Sequence, residues 1–269
     1  YQAIDSSDRL FVTDRLQHAV FVYDRNGNFI DSILAPDMTL SEYIAKHTGG
    51  LPEGSTFSFS VFQSDVYYQK PGEAEQLLPA PDRSSWSPLG LSFFQNGSLL
   101  LTDVTEKANT LRIIPSSTMS LSDWLVFNPS EIKFGETGQG EGQFLYPNVA
   151  VTDSQGRIYV SDGNNGRISV WDSSHAFLFT LGEGTGDDAL SLPRGMALDE
   201  SERLYVVDAV GQDVKIYDIS SEQLQYLFSF GELGIADGQF QYPNDIVIDA
   251  TGRLYIADRE NNRIQVWSY

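Results

Sequence analysis

Apolar residues in this chain fall in short alternating or continuous runs, such as AVFVY at Ala19–Tyr23 and GRIYV at Gly156–Val160, and each run is bounded by Gly, Asn, Asp or Ser. Branched and aromatic residues in short runs closed by turn formers predict β-strands joined by tight hairpins. Two segments break this pattern and resemble each other: MTLSEYI at Met38–Ile44 and MSLSDWL at Met119–Leu125. Thr39 with Glu42, and Ser120 with Asp123, have capping-box spacing, which predicts a one- or two-turn helix in each.

The strand runs repeat. Pro147–Asp162 reads PNVAVTDSQGRIYVSD, Pro193–Asp208 reads PRGMALDESERLYVVD and Pro243–Asp258 reads PNDIVIDATGRLYIAD, so each Pro stands fifteen residues before its Asp. Pro88–Asp103 keeps that register, and AIDSSDRLFVTD at the start of the chain ends the same way at Asp14. A further strand follows in four copies, closing at Asp24, Asp172, Asp218 and Ser268; the fifth, LRII before Pro115, carries two extra residues. Strand-like units recurring every ~40–50 residues indicate a propeller or a solenoid.

The closing Asp residues are 89, 59, 46 and 50 residues apart, so the first interval has room for one more copy. That copy falls in roughly residues 44–87, where Phe57–Lys70 supplies a hairpin without the Pro and Asp signature. The expected fold is all-β: a single-domain six-bladed β-propeller of four-stranded antiparallel blades, with two short helical insertions. Blade 1 covers about residues 1–35, a divergent blade 2 about 36–87, blade 3 about 88–135, blade 4 about 147–182, blade 5 about 193–231 and blade 6 about 243–269. Blade 6 reaches only its third strand, so residues upstream of Tyr1 are expected to complete it.

GRIYVSDGNNGRISVWD and GRLYIADRENNRIQVWS, with the linkers FGETGQGEGQFLYP and FGELGIADGQFQYP, resemble the NHL-repeat family. The resemblance covers blades 4 and 6 fully, blade 5 with departures, blades 1 and 3 partly and blade 2 hardly at all. It implies a propeller fold more than an activity, since members serve as binding platforms, sensors and occasionally lyases. It also implies that the loops between second and third strands share one face with the inter-blade linkers, around the mouth of a central channel. Residues just after the motif Pro, namely Asn148, Arg194, Asn244 and Asp245, would stand at that mouth, with Arg15, His18, Lys107, Asn164 and Arg259 in the loops around it. A mouth of this kind is the default binding site.

The five recurring carboxylates Asp14, Asp103, Asp162, Asp208 and Asp258 could be read as a ring of metal ligands. A structural role fits better. Asn165 with Arg167, and Asn261 with Arg263, follow three and five residues on, where an Asx-turn and an Arg–Asp pair would hold the loop shut. The Gly-rich linkers lack the Gly-Lys-Ser/Thr of a phosphate loop, and DGNNG at Asp162–Gly166 lacks the alternating acids of a calcium loop. Tyr43 and Trp124 either pin the two helical insertions onto the blades or form a partner-binding flank with blade 2 between them.

Charge narrows the function. With 17 Lys+Arg against 37 Asp+Glu the formal charge is −20, which repels phosphate backbones and anionic lipid, so nucleic acid is not an expected partner. The absence of cysteine excludes disulfides and thiolate chemistry. The three histidines, His18, His47 and His175, lie in three segments and match no catalytic constellation. No apolar stretch is long enough to insert in a membrane, though an upstream segment could anchor the domain. The expected function is a non-enzymatic protein-interaction or ligand-binding domain without cofactor, an extracellular, periplasmic or cell-envelope scaffold or accessory subunit. The alternative is a calcium-dependent hydrolase or lyase working at the channel mouth.

Overall fold

The computed structural model describes residues 1–59, 65–105, 108–115, 131–221 and 224–268. Lys107, Trp124 and the second capping box therefore lie outside the described residues. The chain divides into two compact units: Tyr1–Thr105 with Arg112–Lys133, and Glu106–Leu111 with Phe134–Tyr269.

Unit 1 opens with a five-stranded antiparallel sheet, β1 (Gln2–Ile4), β2 (Leu10–Asp14), β3 (Ala19–Tyr23), β4 (Phe29–Ala35) and β5 (Met38–Thr39), one short strand more than a four-stranded blade. Helix α1 (Leu40–Thr48) follows at once. Thr39 and Glu42 form a reciprocal capping box at its start, and Gly49 closes it in the left-handed conformation. The helix buries Leu40, Tyr43 and Ile44 against β4 and the divergent sheet, and the Tyr43 hydroxyl donates to Pro79 O at 2.5 Å.

The divergent sheet has three strands, β6 (Thr56–Phe59), β7 (Val66–Gln69) and β8 (Gln76–Leu78). β6 and β7 pair antiparallel from Thr56↔Gln69 to Phe59↔Val66. β9 (Pro88–Phe93), β10 (Leu99–Thr105), β11 (Ala108–Ile114) and β12 (Ile132–Phe134) form a four-stranded sheet. Fully buried Trp86 ties this sheet to the first: its Nε1 donates to His18 O (2.8 Å) and Leu34 O (3.1 Å).

Unit 2 holds the regular repeats. A two-residue parallel pair, β13 (Glu136–Thr137) and β14 (Gln143–Phe144), lies in the linker before β15 (Pro147–Thr152), β16 (Ile158–Asp162), β17 (Arg167–Trp171) and β18 (Phe177–Leu181). The next sheet is β19 (Pro193–Leu198), β20 (Arg203–Asp208), β21 (Asp213–Asp218) and β22 (Gln225–Phe230). The last has three strands, β23 (Pro243–Ile248), β24 (Leu254–Asp258) and β25 (Arg263–Trp267).

The fifteen-residue spacing is a pairing register: Pro147↔Asp162, Pro193↔Asp208 and Pro243↔Asp258 are cross-strand partners, each followed by an irregularity in the ladder. Proline fits there because the first residue of a strand is where its missing N–H is tolerated. Between sheets, Ile168, Val170, Met196, Leu204 and Val206 form one buried cluster, and Val207, Val214, Ile216, Ile246 and Ile256 belong to the next.

Candidate interaction face

The loop after the second strand of each repeat is built around its carboxylate. Asp162 accepts from Leu145 N–H (2.7 Å), Asn165 Nδ2 (2.8 Å) and Arg167 Nε (3.0 Å). Asp258 repeats this with Gln241 N–H (2.8 Å), Asn261 Nδ2 (2.9 Å) and Arg263 Nε (2.8 Å), and adds Gln265 Nε2. In both, the Asn and Arg reach on into the preceding linker: Asn165 to Gly138 O, Arg167 to Gly140 O and Gln143 O; Asn261 to Gly234 O, Arg263 to Ala236 O and Gln239 O. Loop and linker thus become one strapped surface.

The two carboxyls, both fully buried, shift in opposite directions. Desolvation raises Asp162 above the ordinary carboxylate range despite its donors, whereas at Asp258 it is outweighed by hydrogen bonds from Gln241, Asn261, Arg263 and Gln265, which lower it.

The other copies keep the carboxylate and change its partners. Asp103 is fully buried with Arg112 Nε at 2.6 Å, and Arg112 also pairs with Glu131. Asp208 faces no Arg of its own loop. Asp213 stands where Arg167 and Arg263 stand, and Asp208 accepts from the amides of Ser191, Leu192, Val210 and Gly211. Lys215 supplies the cation, bonding Asp213 Oδ2 (2.9 Å) and Asp187 O of the linker (3.0 Å). Asp14 accepts from Gln17 N–H.

The residues after the motif Pro lie on the adjacent first strands β15, β19 and β23. Asn148 is fully buried: its Nδ2 donates to Tyr146 O and Pro193 O, and its Oδ1 accepts from Arg194 at 3.0 Å. Asn148 is thus a strut between sheets, with Arg194 the half-buried member of the pair. Asp245 lies hard against Gly195, where a Cβ would sit 2.2 Å from Asp245 Oδ1 and 2.5 Å from its Cα. Burial pushes the Asp245 carboxyl up to about 6, and its hydrogen bond comes from the Ile246 amide. Asn244 is half-buried beside it.

Asn164 and Arg259 are exposed on the loops, Arg259 paired with Glu260. In unit 1, Arg15 is exposed, while His18 is locked, with Nδ1 2.6 Å from Trp86 O and its own carbonyl taking the Trp86 indole.

Two features escape the repeat reading. A second Asp–Arg pair spans three of the first hairpins, Asp5–Arg9, Asp153–Arg157 and Asp199–Arg203, with the Tyr159, Tyr205 and Tyr255 hydroxyls donating to Asp153, Asp199 and Asp249. The signal was present as Asp-x-x-x-Arg-x-aromatic at Asp5, Asp153, Asp199 and Asp249. The other is the charge of the linkers. Glu136, Glu141, Glu183, Asp187, Asp188, Glu232 and Asp237 are all exposed, and residues 135–146, 182–192 and 231–242 contain no Lys or Arg. Val210, Leu233, Ile235 and Tyr242 are exposed on the same loops and linkers.

Among the described residues no group of three or more His, Asp or Glu could hold a metal, and no helix is long and apolar enough to cross a membrane.

The NHL repeat family matches residues 144–171 and 240–267, the two linker-strand-loop-strand units with the Asp–Asn–Arg clip. Protein brain tumor of Drosophila melanogaster is 28% identical over 170 residues, 62% of this chain and 15% of that protein. NHL repeat-containing protein 3 of Mus musculus is 27% identical over 129 residues, 44% of this chain and 37% of that protein. The chain therefore spans well under half the length of either relative. Virginiamycin B lyase from Staphylococcus aureus superposes with a TM-score of 0.52 over 100% of this chain and 83% of that one, at 12% identity, a likeness of fold alone. The matched segments are NHL repeats, and the similar proteins together with antiparallel sheets in a common register support a likeness to the NHL-repeat β-propeller family.

Proposed function

We propose that the chain is a non-enzymatic protein-interaction module, a propeller whose six antiparallel sheets are its blades, and that it binds a cationic protein surface through the loops and linkers of unit 2. One observation carries this reading: the linkers are strapped rigid by Asp162, Asn165, Arg167 and their counterparts, have no Lys or Arg of their own, and present seven exposed carboxylates, of which Glu183 and Asp237 pair with Arg167 and Arg263. A fixed, predominantly negative field attracts oppositely charged partners and speeds their approach. Exposed Val210, Leu233, Ile235 and Tyr242 add apolar area that a bound partner would cover.

The same reading takes the domain as an accessory subunit of an extracytoplasmic assembly, at the cell envelope or secreted. Fractionation of tagged protein tests this part, and recovery in the cytosol alone would refute it. Binding is tested with a deca-lysine peptide against the wild type and a variant with the seven linker carboxylates converted to amides. The reading expects salt-sensitive binding that the variant loses.

A second reading, a calcium-dependent hydrolase or lyase at the first-strand wall, has Asp245 in its favour, a half-buried carboxyl held up at about 6. Calcium that raises the Tm of the wild type and not of Asp245→Asn would favour it.

A further inference from the structure

The first hairpin of each repeat in unit 2 turns at the end of its sheet away from Asp162, Asp208 and Asp258. The three turns align residue for residue: Asp153-Ser-Gln-Gly-Arg157, Asp199-Glu-Ser-Glu-Arg203 and Asp249-Ala-Thr-Gly-Arg253. Adjoining turns are not joined alike. Glu202 reaches back to the preceding repeat, where its Oε1 accepts from the Ser154 N–H at 3.3 Å. Gly252 holds the corresponding place one repeat later, and a Cβ built on it would meet nothing within 4 Å. A cleft of about 430 Å³ opens there, between the turns at 199–203 and 249–252.

Two groups in this cleft differ from their counterparts, and they are opposite in sign. The Glu200 N–H, counterpart of the Ser154 N–H, meets no acceptor among the described residues. The Asp249 carboxylate accepts from the Thr251 hydroxyl, the Arg253 and Thr251 amides and the Tyr255 hydroxyl, which hold it down at about 2, so it stays ionised. It nevertheless makes no ion pair among the described residues, whereas Asp5, Asp153 and Asp199 each pair with the Arg four residues on. The rest of the lining includes the Arg203 guanidinium, shared with Asp199 at 2.6 Å, and the half-buried side chains of Leu198 and Ile248.

We propose that this cleft binds a small zwitterion, a free α-amino acid with an aliphatic side chain. Its carboxylate accepts from the Glu200 N–H, as Glu202 Oε1 does from Ser154, with the Arg203 guanidinium on the same turn. Its ammonium pairs with Asp249, as Arg157 and Arg203 pair with the counterparts of that carboxylate, and its side chain lies along Leu198 and Ile248. A ligand with one charge satisfies one turn only. The site goes beyond the interaction reading: it lies at the other end of the sheets from the acidic linkers and takes a small molecule.

The probe is L-leucine, titrated into the 269-residue protein and followed by calorimetry and by hydrogen exchange, beside leucinamide, which lacks the carboxylate, and 4-methylpentanoate, which lacks the ammonium. Saturable 1:1 binding of leucine is expected, with protection gained at 199–203 and 249–253 and each analogue weaker by roughly tenfold. Gly252→Glu is expected to abolish leucine binding by placing a carboxylate on the Glu200 N–H. The turn can hold that residue, since Glu202 stands at the same place with φ 58°. Asp249→Asn is expected to erase the preference for leucine over 4-methylpentanoate.

Deca-lysine binding is read separately, so loss of one activity does not remove the other. If Gly252→Glu does not fold by circular dichroism, the comparison of leucine with its two analogues on the wild type decides alone. No leucine binding at ~10 mM would overturn the proposal. So would analogues that bind as tightly as leucine, or a folded Gly252→Glu that binds leucine unchanged.

Discussion

The Arg167 guanidinium, 3.0 Å from the Asp162 carboxylate and only 6% exposed, joins a loop to the linker of its own repeat: the same side chain that neutralises Asp162 also bonds Gly140 O and Gln143 O. Removing one partner of a buried ion pair leaves the other charge uncompensated, which costs about 3–5 kcal/mol. Arg167→Ala should therefore destabilise strongly. Arg263→Ala, whose guanidinium is more open to solvent, should cost less, about 1–2 kcal/mol. Urea unfolding of the two variants checks the order, and equal effects would show that the clip does not work through burial.

Asp31 makes unit 1 sensitive to pH. It is buried at the start of α1, accepts from the Ser32 and Ser41 amides and the Ser41 hydroxyl, and burial pushes its carboxyl up to about 6. An unfolded Asp titrates near ~4. Between those values the folded state binds the extra proton, so this group's contribution is full below about pH 4 and is lost as pH rises through 6. Asp31→Asn should raise stability at pH 7.5 by roughly 1–3 kcal/mol and flatten the slope between pH 4 and 7. Thermal unfolding across that range measures it, and a variant less stable at pH 7.5 would contradict the sign.

Trp86 fastens two sheets through one N–H shared by His18 O and Leu34 O. Trp86→Phe keeps most of the apolar bulk and leaves both acceptors without that donor, at about 1–3 kcal/mol. Lost exchange protection should centre on residues 18–20 and 33–35, and an effect spread evenly over unit 1 would point to volume instead.

Gly195 is needed for close approach. Its Cβ would meet the Asp245 Cα at 2.5 Å as well as its carboxylate, so Gly195→Ala should destabilise by about 1–3 kcal/mol and Asp245→Ala should not rescue it. Rescue in the double variant would show that only the side chain is in the way.

The repeat was legible because Pro and Asp sit at fixed places in a pairing register, and a register error would turn a strand's apolar face outward. The Asp–Asn–Arg spacing likewise reads directly from DGNNGR and DRENNR, since three- and five-residue separations bring those side chains back to one carboxylate. What the sequence concealed depends on neighbours far along the chain. Asn148, expected in the open, is buried because Pro193 O and Arg194 arrive from the next repeat. His18 is expended on Trp86, sixty-eight residues away. The helix at Thr39 was visible through its capping box, while the two-unit division follows from contacts no local pattern encodes.

The reading of the acidic linkers as the partner-binding surface stands or falls on one titration. Deca-lysine is added at low and at physiological salt to the wild type, to the variant Glu136→Gln, Glu141→Gln, Glu183→Gln, Asp187→Asn, Asp188→Asn, Glu232→Gln, Asp237→Asn, and to a control neutralised at exposed Asp8, Asp37, Glu53, Glu73, Glu75 and Glu200. A wild type and control that bind alike, with the linker variant weaker by about tenfold at low salt, is the expected result. Equal binding by the linker variant would contradict it.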